Sequence, residues 1–400
     1  MRRKMRGIDS VHAVLSSDDI MCEILLRLPP ETVFRLIVVS KRWLHFICSS
    51  SFRHNYMSQW HLKFPLLGFF VCNTLYLGRP RNGLRRPRSE PALPFLPTSK
   101  EGDDLQDSGI LKELGYFIDS SNGLLLCGRH PKTYFVWNPF TKQRYKLPRP
   151  RVYFEELCMA FLFEESFDDN MCYKVIRAKC ECRLEDIKTV PIETFNPKTS
   201  TWNYSTLTCS SPLSLCPWTV GTVIKGVIHW FAEHGNLAIY DPVHGERCIS
   251  LIKLPDSNDF DEHILGESSN GLLQYGWSNV SVMEIWVLER EEVASRAIYP
   301  NDARANIRWN LRYKLSFKTM WKMNPSIVTT FHTRGKETQI LSFVPQNSES
   351  VFIRSGSDIF LCHLVSKMVE VVPYQGRGSS ILWDHSRVIP YFSPAWPRSS

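Results

Sequence analysis

The chain has 400 residues, 43% hydrophobic and 22% charged, enough to bury a large core and so to exclude a disordered or collagen-like protein. A prior of about 150 residues per domain allows two or three domains, although an all-β unit can absorb about 250 residues alone. The net charge of +8 is concentrated in two acid-free runs, Arg2, Arg3, Lys4 and Arg6 and then Arg79, Arg81, Arg85, Arg86 and Arg88, whereas a nucleic-acid-binding surface needs cations spread over the fold.

No stretch approaches the roughly 18 uninterrupted apolar residues of a membrane span, and the start MRRKMRGIDS lacks the apolar core of a signal peptide. The 12 cysteines run from Cys22 to Cys362 without a C-x-x-C pair, which fits reduced thiols in a cytoplasmic or nuclear protein better than a disulfide scaffold. In such a compartment the Asn203-Tyr204-Ser205 and Asn279-Val280-Ser281 glycosylation patterns are chance matches.

Residues 15–48 read as three short helices. Ser16, Ser17, Asp18 and Asp19 suit a helix start, and Ile20, Ile24, Leu25 and Leu28 follow at helical spacing. Pro29-Pro30 is expected to end this helix and Thr32 to cap a second one through Val33–Val39; Lys41–Ile47 suggests a third. The apolar content of Val33–Val39 is too broad for a helix with one solvent face. A segment near 40 residues is also too small to be stable alone, so a partner is expected.

From about Leu66 the chain changes to short apolar runs punctuated by Gly, Pro, Asn and Asp, an all-β signature. The clearest strands are Leu66–Val71, Leu124–Cys127, Tyr134–Trp137, Val223–Trp230 and Ile285–Leu288. Between the first two, residues 77–106 are rich in Pro, Arg and Ser and are expected to form an exposed insertion.

The β region repeats. Asn138-Pro139, Asn196-Pro197 and Asp241-Pro242 each follow a strand and precede another, and an Asn or Asp before Pro favours a tight turn. Ser120-Ser121-Asn122-Gly123-Leu124-Leu125 returns as Ser268-Ser269-Asn270-Gly271-Leu272-Leu273, again a hairpin signal. The spacing is close to the ~40–50 residues of a propeller blade, which gives six or seven blades over the remaining chain. Trp137, Trp202, Trp218, Trp230, Trp277 and Trp286 recur within these units and are expected mostly in the core between blades.

The helical segment closely resembles an F-box: Leu15, Asp18, Asp19, Ile24, Leu25, Leu28, Pro29, Pro30, Val39, Ser40, Lys41, Arg42 and Trp43 match that family's pattern, with Ser16 replacing its usual Pro. The run from Ser121 to Cys127, Trp137–Gln143 and Leu147-Pro148 resemble the associated domain of the large plant F-box family. The resemblance implies a basic tail at 1–14, a three-helix F-box at 15–56 and a kelch-like, six- or seven-bladed β-propeller-like domain at 57–400, a mainly β protein with a small N-terminal α segment. It further implies docking of a Skp-type adaptor, and through it cullin and RING subunits, by Leu15, Ile20, Ile24, Leu25, Leu28, Pro29, Val39 and Trp43, while the propeller captures a substrate protein for ubiquitination.

No catalytic signature is present: the chain lacks G-x-S-x-G, H-E-x-x-H, the phosphate loop and G-x-G-x-x-G. Gly376-Arg377-Gly378 reads as a turn, Cys172, Cys180 and Cys182 as thiols without a fourth metal ligand, and His229 as a packed strand residue. Glu164, Glu165, Asp168 and Asp169 read as a solvated loop. No cofactor, metal or membrane is expected, and no nucleic acid. Two alternatives to a non-catalytic adaptor stay open: a propeller enzyme with a central-channel site, and an F-box protein acting outside a ligase through its Arg-rich segment.

Overall fold

The computed structural model describes residues 17–36, 39–49, 52, 55–56, 59, 66–73, 95–98, 114–121, 123–129, 133–139, 142–164, 172–180, 187–217, 219–243, 247–255, 262–290, 307–333, 335–345, 347–374 and 386–392. They fall into two units, a helical one before residue 66 and a β one from Leu66 to Phe392.

The helical unit contains α1 (Asp18–Leu26), α2 (Pro30–Leu36) and α3 (Lys41–Cys48). Ser17 and Ser40 cap α1 and α3, each hydroxyl accepting from the backbone N–H three residues on. Two local expectations are corrected. Helix α1 stops at Leu26, before the prolines, and Pro30 opens α2 instead of closing α1, because a first-turn N–H has no intrahelical acceptor to lose. Thr32 therefore lies inside α2 and is not its cap. Ile37 and Val38 lie outside the described residues, as do the basic tail and Leu15.

Among the described residues the strands of the β unit form five sheets, one of three strands, three of four and one of eight; the eight-stranded sheet is two antiparallel blades joined by a short parallel pairing of their outer strands, which gives six blades. Blade 1 joins Phe95–Pro97, Leu66–Asn73 and Ser386–Phe392; blades 2 to 6 have four strands each, within 116–146, 157–209, 222–253, 262–316 and 338–371. The innermost strands touch in succession around a ring, and Ser386–Phe392 meets the first strand of blade 6, Thr338–Val344, so the ring closes. The fold is the expected propeller, with six blades.

Both repeated motifs fall at equivalent places in the blades. The two Ser-Ser-Asn-Gly-Leu-Leu copies make the first hairpin of blades 2 and 5, with Gly123 and Gly271 at φ of 77° and 72°, where a side chain would be strained. The Asn/Asp-Pro turns join the third and fourth strands of blades 2, 3 and 4. Asn196 Oδ1 accepts from Lys198 N at 2.9 Å and Asp241 Oδ1 from Val243 N at 2.8 Å, which closes the turn through the side chain.

Six apolar clusters fill the spaces between successive blades. Phe70, Trp137 and Tyr391 lie between blades 1 and 2; Tyr134, Phe161 and Trp202 between 2 and 3; Ile176 and Trp230 between 3 and 4. Leu237, Tyr275 and Trp277 follow between 4 and 5, Met283 and Phe360 between 5 and 6, and Phe69, Phe352 and Val388 between 6 and 1. The tryptophans thus serve as interblade core, as their recurrence suggested; Trp218 lies outside the described residues.

Within the expected insertion, Phe95–Pro97 is instead a buried edge strand paired with Leu66–Asn73. Its apolar Phe-Leu-Pro triplet supplies what the surrounding Pro- and Arg-rich stretch lacks, and the Phe95 ring lies 4.7 Å from that of Phe70. Residues 77–94 and 99–106 are outside the described set. Two short helices among the described residues of the β unit were not legible: α4 (Phe317–Met323) and α5 (Pro325–Phe331), which follow blade 5. Asn324 between them donates to the carbonyls of Met320 and Lys367 and accepts from Val369 N, tying both helices to the last strand of blade 6.

Phe70 stacks on Phe117 at 4.4 Å and meets Tyr391 at 5.4 Å across the closure. Phe70→Ala should lower unfolding free energy by about 3–5 kcal/mol, read as a shifted urea midpoint, whereas Val280→Ala at an exposed turn should change it by about 0.5 kcal/mol or less.

Candidate functional site

In the helical unit, Met21 and Leu25 of α1 turn inward onto Val33, Ile47, Phe52 and Tyr56. Ile20 and Ile24, one residue ahead of each, project from the neighbouring face, 44% and 45% exposed. Apolar side chains on two faces of α1 therefore separate into an inward pair and an outward pair. Phe52 joins the inward group to the following segment, its ring 5.2 Å from Phe46 and 5.7 Å from Tyr56. Tyr56 donates its hydroxyl proton to the Leu28 carbonyl at 2.6 Å, fixing the end of α1, and burial raises its pKa. Arg42 of α3 pairs with Asp18 at 2.7 Å, but both are exposed and the pair adds little stability.

The residues expected to contact an adaptor thus divide. Ile20, Ile24, Pro29 and Val39 are exposed, Val39 at 60%. Leu28 and Trp43 are partly buried against the helical core. Leu25, expected on the docking face, is instead wholly buried, because it follows Met21 by one helical turn and shares its inward direction. A cleft of about 570 Å³ opens between α1 and α3, bordered by Asp18, Asp19, Cys22, Arg42 and Phe46.

The β unit holds three polar arrangements with the composition of reactive groups. In blade 6, Ser350 Oγ lies 3.0 Å from His363 Nδ1, and His363 Nε2 lies 3.2 Å from Glu370. This is a Ser-His-Glu series, but Ser350 is 1% exposed and also receives Asn347 Nδ2, so its oxygen is closed to a substrate. The series braces adjacent strands. In blade 4, buried His229 has its Nδ1 3.2 Å from the Thr222 carbonyl oxygen, and burial lowers its pKa to about 4. It packs neutral in its strand.

The third arrangement is in blade 3. Arg177 and Glu193 are fully buried and form an ion pair, Arg177 Nη1 donating to Glu193 Oε2 and, at 3.2 Å, to the Val152 carbonyl. Glu193 Oε1 accepts from the backbone N–H groups of Arg151 and Val152 at 2.9 and 3.0 Å. The rings of Phe154, Tyr134 and Trp202 lie 5.1, 5.7 and 5.7 Å from the guanidinium carbon, so the cation is also held by aromatic faces. The pair fixes the connection between blades 2 and 3.

Buried thiols are poor nucleophiles here: hydrogen bonding with Cys158 and then burial push the Cys180 pKa well up, and burial takes Cys362 to about 12. Among the described residues no group of three His, Cys, Asp or Glu side chains could hold a metal ion, and no helix is long and apolar enough to cross a membrane. Glu164, the first residue of the acidic cluster, ends the strand Leu157–Glu164 and is not in the loop expected there, because it pairs with Cys172 of the next strand. Cys182, residues 165–170 with the rest of that cluster, the Arg79–Arg88 run and residues 376–378 lie outside the described residues.

Arg177→Met alone strands the Glu193 carboxylate and should cost about 3–5 kcal/mol; adding Glu193→Gln should recover much of that loss in urea titrations. For His229 the folded pKa lies below the unfolded value, so the unfolded chain takes up a proton first as pH falls. Stability from this residue is complete above about pH 6.5 and declines toward pH 4, by on the order of 3 kcal/mol. The difference between wild type and His229→Gln in urea midpoint should therefore change between pH 7 and pH 5; a constant difference would contradict it.

Comparison with known proteins bears on both units. The F-box domain profile matches residues 17–55 and the F-box associated beta propeller domain profile matches residues 107–370. The chain is 53% identical over 390 residues to the F-box protein At5g03970 of Arabidopsis thaliana, covering 98% of this chain and 90% of that one. It is 22% identical over 375 residues to the Arabidopsis F-box protein At5g07610, covering 87% and 83%. The putative F-box/kelch-repeat protein At1g15680 of the same plant is 24% identical over 261 residues, 60% of each chain. An oligogalacturonate lyase structure from Vibrio parahaemolyticus aligns over 68% of this chain and 70% of that one at a TM-score of 0.35 and 7% identity, too distant to bear on chemistry. The capped helical segment and the six-bladed ring thus carry the two domain signatures in order, and the chain belongs to the family of F-box proteins with an F-box-associated β-propeller domain.

Proposed function

We propose that this chain is the substrate-recognition adaptor of an SCF-type ubiquitin ligase, with the outward face of its helices docking a Skp-type adaptor and its propeller capturing a target protein. The observation that carries the reading is the exposure of Ile20, Ile24 and Val39 on a helical unit of family-defining sequence. Three large aliphatic side chains in water gain most when a partner covers them, at about 25 cal/mol per Å² buried. A unit this small also gains stability from such a partner. Leu25 serves the interface indirectly: it holds α1 on α2 and α3 so that Ile20 and Ile24 are presented on a rigid surface.

The adaptor performs no bond chemistry in this scheme. Cullin and RING subunits, reached through the Skp-type protein, bring a ubiquitin-charged enzyme close to the captured target and raise the effective concentration of its lysines. The Ser350–His363–Glu370 and Arg177–Glu193 groups are braces in this reading, which favours a binding role for the propeller over a catalytic one. The cytoplasm and nucleus are where such a ligase works.

The test is co-purification of a Skp-type adaptor with the full chain. Ile20→Asp with Ile24→Asp should abolish capture while leaving circular dichroism and the thermal midpoint of the propeller unchanged. Leu25→Ala should weaken capture by destabilising the helices, by about 2–5 kcal/mol. Wild-type capture by the double aspartate variant would refute the assignment.

A further inference from the structure

A third cationic run lies within the folded β unit. Lys142, Arg144, Lys146, Arg149 and Arg151 stand within ten residues that contain no acidic side chain. The first three flank or occupy the strand Gln143–Lys146, the outer edge of blade 2, and the last two lie on the connection to blade 3. All five are exposed, as are Tyr145 and Tyr153 beside them. Among the described residues no carboxylate lies within salt-bridge distance of Lys142, Lys146, Arg149 or Arg151. The Arg144 guanidinium lies over the Phe135 ring at 5.7 Å.

This segment is fixed from below. Leu147 is buried and its N–H donates to the Tyr134 carbonyl at 2.9 Å; Trp202 Nε1 donates to the Pro148 carbonyl at 2.7 Å. The N–H groups of Arg151 and Val152 are held by buried Glu193, and the Val152 carbonyl by Arg177. The cations therefore stand on a rigid backbone, which removes the ordering cost a flexible basic loop would meet on binding. One or two edge lysines suffice to block unwanted strand pairing. That role accounts neither for Arg149 and Arg151, which lie beyond the strand, nor for the fixing of their backbone.

The blade 2 edge is also open. The outer strands of blades 3 and 4 pair with each other at Thr208–Cys248 and Cys209–Ile249, whereas Gln143–Lys146 pairs only with Thr133–Asn138 among the described residues. Its outward N–H and C=O groups suit an added strand.

We propose that this ridge binds an extended, Asp- and Glu-rich segment of the protein that the propeller captures. The proposal rests on the reading of the propeller as the capturing unit and names the chemistry of what it takes. Cations spread along a strand and its continuation match a series of carboxylates rather than a single phosphate. The open edge supplies backbone hydrogen bonds that a peptide, unlike a nucleic acid, can return in register. Tyr145 and Tyr153 offer ring surface for the apolar parts of the same segment.

Fluorescence anisotropy of the full chain with a labelled peptide alternating Glu and Thr tests this, with a Gln-for-Glu peptide, a singly phosphorylated neutral peptide and a single-stranded oligonucleotide as comparisons. The acidic peptide should bind best. Arg149→Glu with Arg151→Glu, and separately Lys142→Glu with Lys146→Glu, should each weaken it about tenfold, while Lys318→Glu with Lys322→Glu on exposed positions of α4 should not. Wild-type affinity in both ridge variants, or tighter binding of the phosphopeptide or oligonucleotide, would overturn the proposal. The Ile20→Asp/Ile24→Asp chain should keep full peptide affinity, so failure of adaptor docking and failure of the ridge are read separately.

Discussion

The antiparallel pairing of Leu66–Asn73 with Ser386–Phe392 is the constraint on which the β unit depends. It joins the first strand of the propeller to the last, so blades 1 and 6 have neighbours on both sides and all six apolar clusters are covered. Opened at this point, the ring would expose the cluster between blades 6 and 1, formed by Phe69, Phe352, Ile359 and Val388. The large aromatic content belongs here: Phe70 contacts Phe95, Phe117 and Tyr391 at once, and Tyr391 donates to the Gly123 carbonyl at 3.0 Å, fastening blade 1 to the first hairpin of blade 2.

Closure also explains why polar groups in the blades are braces. A strand packed on both faces leaves little water for a polar side chain, so an internal partner stabilises it there, although Gln274 Oε1 and the Arg177 Nε and Nη2 groups are buried without a hydrogen bond among the described residues. Glu193 is satisfied by Arg177 and two backbone N–H groups, and Asn324 by three backbone groups. The surface consequence of the Glu193 arrangement is that a basic connection lies fixed over blade 3. A buried charge pair, of little net value to stability by itself, thereby sets the position of exposed cations.

The helical unit follows the opposite logic. It has too few residues to hide all its aliphatic side chains, so one face of α1 makes the core and the next remains in water. Leu25 and Ile24 are adjacent in sequence, and the helical rotation of about 100° between them decides that one supports the surface and the other forms it.

Local chemistry suffices for a capped helix at Ser17 or Ser40, for the Asn/Asp-Pro turns, and for the Ser-Ser-Asn-Gly hairpins at Gly123 and Gly271, because each depends on residues within a few positions of one another. Repetition of those signals was enough for a propeller, and the F-box pattern for the family. Tertiary structure alone decided the blade count, since a ring closes only when strands more than 300 residues apart pair. It drew Phe95–Pro97 out of a Pro- and Arg-rich stretch into the sheet, because the open edge of Leu66–Asn73 and the Phe70 ring were there to receive it. It placed Leu25 inside and Ile20 outside, and it brought Glu193 under Arg151 and Val152. These outcomes depend on which distant surface each segment meets, and no local pattern carries that information.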